Sequence, residues 1–100
     1  MKFSVYFLRS LKDNNFYIGY TSLSPQTRLA KYHNKGFVKS TKYRKPLILV
    51  YYEIYYFKHD AYKREFHLKN KNGYQEKLNI IKLINSTSQD KYPIVVGIPR

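Results

Sequence analysis

The stretch Phe16-Tyr17-Ile18-Gly19-Tyr20-Thr21-Ser22 decides how the rest of the chain is read. Aromatic and β-branched residues, ended by a glycine and small hydroxyl residues, suit a short strand running into a turn. Ahead of it lies a polar loop, Lys12-Asp13-Asn14-Asn15, and ahead of that Phe3-Ser4-Val5-Tyr6-Phe7-Leu8. Alternation along that run puts Phe3, Val5 and Phe7 on one face of a strand and Tyr6 and Leu8 on the other. The two runs predict an antiparallel hairpin.

Downstream, Ser24 is placed to cap a helix with Pro25 at its first position, and Gly36 is a natural stop. Arg28 and Tyr32 share a face of this helix. His33 falls roughly 140° from Arg28 on an ideal helix, so the two reach one site only if the last turn loosens. For His33 a helix-end role against the last carbonyls and a role in a site stand level. Phe37 to Lys45 is a basic connection holding Lys39, Lys42, Arg44 and Lys45 around Ser40 and Thr41. From Leu47 to Phe57 every residue but Glu53 is apolar or Tyr, the pattern of a central strand covered on both faces. Glu53 reads as a strand-edge partner for a Lys or Arg ahead of a site carboxylate.

Lys58 to Lys69 predicts a second helix, with Asp60 in the first turn where the helix dipole favours a negative charge. Ala61, Glu65 and Leu68 fall within roughly 60° of one another, with Tyr62 and Phe66 on the adjoining flank. A carboxylate in that apolar stripe needs Arg28, a lysine or a metal ion opposite it. A structural salt bridge and a metal site are both consistent with it. Gly73 breaks the pattern, and Tyr74, Leu78, Ile81 and Ile84 recur at the spacing of a third, packing helix. Asn85 to Lys91 is turn-like, and Tyr92 to Ile98 reads as a short strand or a docked tail, against the chain itself or a second copy.

One hundred residues allow one modest core, and 43% hydrophobic content argues for a folded protein. With no cysteine, neither disulfides nor a thiolate zinc site can hold the fold. No apolar run approaches the ~18 residues that span a bilayer, and Met1-Lys2 leads straight into a strand, so an intracellular, cytoplasmic protein is expected. A formal charge of +13 favours a polyanionic partner, and twelve tyrosines among the cations turn that expectation toward nucleic acid.

Tyr6 in Ser4-Val5-Tyr6, followed across a short loop by Tyr17-Ile18-Gly19, resembles the signature pair of the GIY-YIG nuclease domain family. Ser4 and Val5 stand where the family name has Gly and Ile, while the tyrosine is kept. The order continues through Arg28 and His33, Lys39-Ser40-Thr41-Lys42, Pro46 to Glu53, and Ala61-Tyr62-Lys63-Arg64-Glu65. The chain is similar over residues 3 to about 84 to the small free-standing branch of the family and to the N-terminal nuclease domain of the excision-repair protein UvrC. Residues 1–84 are therefore expected to form the nuclease domain and 85–100 a C-terminal tail.

The resemblance implies hydrolysis of DNA phosphodiester bonds, with RNA left open as a partner, and a Mg²⁺ or Mn²⁺ ion held by Glu65. It turns Arg28 and His33 toward the cleft, and places Tyr6 and Tyr17 at its border with Tyr17 as general base, Tyr6 as its hydrogen-bonding neighbour and His33 as a helper. Arg28 suits pairing with phosphate oxygens through its planar fork. A tyrosine is a base only where cations favour the phenolate, because the free phenol has a pKa of ~10. Gly19 is expected to let the strand end bend and a phosphate approach, and Lys39 and Lys42 to line that approach. No role is assigned to Asn72, Gln75 or Asn79, near the place of a family asparagine. A catalytically weak nucleic-acid-binding module is the alternative, and an RRM-like binder fails for want of an RNP motif and the right element order. The expected fold is α+β: a small, mainly antiparallel three-stranded sheet flanked by helices, in the order β-β-α-β-α-α.

Overall fold

A computed structural model describes residues 2–97. Met1 and the final member of the expected C-terminal strand, Ile98, lie outside the described residues. The hairpin is present as β1 (Phe3–Ser10) and β2 (Phe16–Thr21), antiparallel. After them come α1 (Pro25–Arg28), a single π-helical turn (Leu29–His33), β3 (Leu47–Tyr55), α2 (Lys58–Lys69), α3 (Tyr74–Asn85) and β4 (Ile94–Gly97). The fold is α+β, as the sequence predicts, with one strand more than expected.

That strand comes from the tail. The sheet runs β2-β1-β3-β4, with β1 antiparallel to both neighbours and β4 parallel to β3. A strand that returns after two helices has crossed over, and a crossover brings it back parallel. Tyr92 fastens the segment by donating its hydroxyl to the carbonyl of Ile84 at 2.6 Å. The docking partner expected for this apolar stretch is thus the chain's own β3.

The sheet is covered on both faces. Val5, Phe7, Val50, Tyr51 and Tyr55 meet Ala61 and Leu68 of α2 and Ile80 and Ile84 of α3 on one side. Tyr6, Leu8, Leu47 and Leu49 pack with Tyr17, Leu29 and Tyr52 on the other. A register shift between Phe7 and Leu8 against β3 lets Val50 and Tyr51 both turn to the helical side. On α3 the buried residues are Ile80 and Ile84, while Tyr74 and Leu78 of the expected stripe are exposed. The cause lies at the link to α2: a Cβ on Gly73 would stand 2.0 Å from the carbonyl oxygen of His67. Backbone against backbone at this point fixes how α3 is rotated.

Glu53, 2% exposed, projects to the helical side. It accepts from the Tyr51 hydroxyl at 2.6 Å, the Tyr55 hydroxyl at 2.7 Å, and Nε and Nη2 of Arg64 at 2.9 and 3.2 Å. The expected cationic partner is there, but on an interior strand and not at a sheet edge. Burial first, and then the bond to Glu53, raises Tyr51 and Tyr55 above the ordinary tyrosine range, so both remain neutral donors. Arg64 also donates to Glu76 of α3 at 2.8 Å. Among the described residues no helix is long and apolar enough to cross a membrane.

Candidate active site

The site forms on the sheet face opposite Glu53. In the hairpin register Tyr6 lies directly across from Gly19, and Leu8 across from Tyr17, so the two tyrosines are diagonal neighbours on one face. Their ring centroids are 6.4 Å apart. The Tyr6 phenol leans over Gly19: a Cβ there would stand 2.6 Å from the Tyr6 hydroxyl oxygen and 2.7 Å from Cζ. The space freed by the glycine therefore seats Tyr6, and not the approaching phosphate expected from the sequence.

The helix after β2 supplies the next two groups. Ser24 caps α1 by accepting from the Thr27 amide at 3.1 Å, with Pro25 at the first position as anticipated. The helix then widens: the Asn34 amide donates to the Leu29 carbonyl at 2.9 Å, a bond spanning five residues. This is the loosened last turn that Arg28 and His33 require to face one place. Asn34 anchors the turn by accepting from the Leu47 amide at 2.9 Å and donating to the Leu47 carbonyl at 3.0 Å.

His33 is fully buried, its ring edge-on to Tyr6 at 5.7 Å and to Tyr17 at 5.1 Å. Burial, with the Arg28 charge adding to it, lowers its pKa to about 4, so the imidazole is neutral at pH 7. Tyr6 and His33 Nε2 are 2.8 Å apart, and His33 Nδ1 lies 2.9 Å from Thr41 Oγ1. The guanidinium of Arg28 beside the phenol can only donate, which directs the Tyr6 hydroxyl proton to His33 Nε2 and leaves Nδ1–H to donate to Thr41. Burial lifts the Tyr6 phenol to about 12; Arg28 pulls it down, while Tyr17 and Glu65 add to the lift. Tyr6 is therefore a locked, neutral donor whose hydrogen-bond partner is His33, where Tyr17 was expected.

Arg28 stacks over Tyr32, its Cζ 4.8 Å from the ring centroid. Its Nε is buried and has no hydrogen-bond partner among the described residues. The residue opens into a cavity of about 320 Å³ shared with Tyr20, Ser22 and Lys58. From α2, Glu65 reaches the same neighbourhood: its charge bears on the Tyr6 phenol, and its Oε2 accepts from Lys69 Nζ at 3.2 Å. Lys69 in turn stands 5.2 Å from the Tyr17 ring centroid, bridging the carboxylate to the half-buried tyrosine.

Tyr6, Tyr17, Arg28, His33 and Glu65 are thus gathered from β1, β2, α1, the π turn and α2. Lys39 and Lys42 are exposed on the loop before β3, and Lys42 lies over Tyr43 at 4.9 Å. Between them Thr41, fully buried, is the residue that turns inward to His33. Thr41 and Lys69 were not singled out by sequence. Lys69 was legible as the i+4 neighbour of Glu65, whereas Thr41 meets His33 across an irregular loop that carries no period.

Among the described residues no three His, Asp or Glu side chains cluster to hold a metal ion. Glu65, with 17% of its side chain exposed, is a carboxylate whose charge reaches the Tyr6 phenol. One hard oxygen ligand, with water and phosphate completing the shell, suits Mg²⁺, so the donor set fits that ion in its usual water-rich manner.

Residues 2–79 match the GIY-YIG catalytic domain, and the chain belongs to this family. It is similar to UPF0213 proteins of staphylococci. Those of Staphylococcus haemolyticus and Staphylococcus saprophyticus are each 39% identical over 70 residues, covering 70% of this chain and 83% of the relative. The UPF0213 protein of Staphylococcus aureus strain Mu3 is 42% identical over 71 residues, with the same coverage. No solved structure matches the chain.

Proposed function

We propose that this protein is a metal-dependent endonuclease that hydrolyses DNA phosphodiester bonds, acting in the processing or repair of DNA. The observation that carries the reading is the convergence of Tyr6, Tyr17, Arg28, His33 and Glu65 from five separate elements on one neighbourhood, which Glu65 joins through its charge on Tyr6 and through Lys69 over the Tyr17 ring. Core filling explains each ring singly, but it does not explain a buried Arg28 Nε that has no hydrogen-bond partner among the described residues, nor a carboxylate, Glu65, that is met there by a flexible lysine.

Roles follow from exposure and bonding. Tyr6 is sealed and bonded to His33, so it positions and does not exchange protons with substrate. Tyr17, half-buried with Lys69 over its ring, is the tyrosine hydroxyl open to an attacking water and, as the phenolate, takes the proton that the water loses. His33, neutral and bonded on both nitrogens, fixes the Tyr6 phenol and the Tyr17 ring edge. Arg28, which lines the cavity with Lys58, offers its guanidinium to a phosphate oxygen and stabilises the charge that grows there. Glu65 is the residue that would hold the ion, with Lys69 released to the phosphate backbone. A bound divalent cation supplies positive charge against the phosphate oxygens. Excess positive charge over the whole molecule draws in the polyanion and makes binding salt-dependent.

The test is nicking of supercoiled plasmid and branched duplexes by purified protein in Mg²⁺, Mn²⁺ or EDTA. Glu65→Gln and Tyr17→Phe are expected to abolish cleavage with unchanged DNA binding, and EDTA to abolish it in the wild type. Cleavage retained in both variants would remove the assigned site. Salt-sensitive binding with no cleavage under any condition would establish an inert binding module.

A further inference from the structure

We propose that the outer face of α2 is a subsite for unpaired nucleotides flanking the scissile linkage, and that the bound strand is single-stranded DNA. This inference rests on the nuclease reading and names the form of substrate it acts on.

At about 100° per residue, Glu65, Lys69, Tyr62 and Phe66 fall in that angular order within roughly one 100° arc of the helix. The same strip of α2 that brings Glu65 and Lys69 to the catalytic tyrosines thus continues directly into two rings. Those rings stand one turn apart and are 51% and 61% exposed, a contiguous aromatic pair that a soluble domain ordinarily covers. Tyr62 is braced edge-on by Tyr20 of β2, at 5.8 Å and 78°, so its face is held in place before any ligand arrives. Tyr20 also lines the cavity that Arg28 and Lys58 open into, which makes the surface continuous from the phosphate-binding arginine to the ring pair.

Beside Tyr62 and Phe66 lies a cavity of about 670 Å³, walled in part by Lys63, Lys71, Asn70 and Asn72. It has the size of a small-molecule site, ample for a nucleotide. Among the described residues no carboxylate lines it, and Glu76, which reaches its wall through His67, is already matched by Arg64. Exposed π faces with lysines and amides around them complement a strand whose bases are free to stack and whose phosphates are charged. An apolar peptide would leave both lysines unmatched. In a duplex the base faces are occupied by their neighbours, so only unpaired nucleotides can use the rings.

The experiment measures binding of fluorescein-labelled oligothymidine and of a duplex of equal length to the full chain in EDTA, by anisotropy. The variants are the double exchange Tyr62→Ala with Phe66→Ala, and the single exchanges Phe66→Leu and Phe66→Trp. The double exchange is expected to weaken single-strand binding by about tenfold or more and duplex binding by less than about twofold, given ~1–3 kcal/mol per stacked base. Phe66→Leu, which keeps apolar area without a stacking face, should lose affinity, and Phe66→Trp should keep it. Far-UV circular dichroism and melting establish that each variant is folded. Wild-type affinity in the double variant, or an equal loss for strand and duplex, overturns the subsite. Because binding is read without metal, absent cleavage with intact strand preference would overturn only the nuclease reading. Intact cleavage with no strand preference would overturn only the subsite.

Discussion

Gly19→Ala is the sharpest probe of how the site is built. The added methyl would lie 2.6 Å from the Tyr6 oxygen, 2.7 Å from its Cζ and 3.0 Å from a Tyr17 ring carbon. Tyr6 cannot swing away cheaply, because its ring is 1% exposed and packed among Leu8, Leu47 and Leu49. Overpacking of a filled core costs about 1–3 kcal/mol. Displacing the phenol also breaks the 2.8 Å bond to His33 and strands two buried polar groups, for about another 1–3 kcal/mol. Against this, alanine in a strand regains only about 0.5–1 kcal/mol relative to glycine. The net expectation is a loss of roughly 2–4 kcal/mol, a large part of the ~5–15 kcal/mol that holds a small domain folded. Urea unfolding followed by circular dichroism reads it directly. Tyr6→Phe completes a double-mutant cycle: it removes the atom in closest conflict, so its own cost should shrink in the Gly19→Ala background by about 0.5–3 kcal/mol. A Gly19→Ala protein within about 0.5 kcal/mol of the wild type, or a cycle that is purely additive, would refute the idea that the glycine exists to seat the phenol.

Two further outcomes follow from the buried charges. His33 titrates near 4 in the fold against 6.5 ordinarily, so between these values the unfolded chain binds a proton that the folded one refuses. Stability should therefore fall as pH drops from 6.5 toward 4, by at most about 1.4 kcal/mol per unit, and the slope should flatten in His33→Gln; an unchanged slope would count against a buried neutral histidine. Arg64→Ala leaves Glu53 buried with only two phenol donors, and should cost about 3–5 kcal/mol in urea unfolding, whereas Glu65→Gln, on a partly exposed pair, should cost less than about 1 kcal/mol. Equal costs for the two exchanges would contradict the division between a structural and a functional carboxylate.

Much of this architecture is legible in the order of residues, and the exceptions share a cause. The hairpin, the central strand and α2 show because their periods are local, and Lys58 to Lys69 is bounded by sequence at the residues that bound it in space. The C-terminal strand has the right composition, but its partner is chosen by a crossover that no local pattern encodes. The face of α3 is read in part: Ile81 and Ile84 of the expected stripe pack on the core, while Tyr74 and Leu78 give way to Ile80, and the Gly73–His67 backbone contact shifts the helix toward that face. At the site, Arg28 and His33 converge only through a widened turn, whose need is readable from their angular separation and whose presence is not. Thr41 stays hidden because a loop partner is found by distance alone.

The two carboxylates differ in a way that composition leaves open. Glu53 and Glu65 both break an apolar pattern, and either could be read as the ligand of a cation. The strand register separates them: Glu53 pairs with Val5, one residue from Tyr6, and so projects to the opposite face of the sheet from the hydroxyl that His33 holds. Its two oxygens are also filled, by two phenols and a bidentate guanidinium, and freeing one for a metal would leave a buried Arg64 partly unpaired. Among the described residues Glu65 is opposed by one flexible lysine that can itself move to a phosphate, so exchange of Lys69 for a cation strands no charge in the core. On the proposed reading the carboxylate with the weaker bonds is for that reason the one assigned to chemistry, while the better-bonded one holds α2 against the sheet that carries Tyr6.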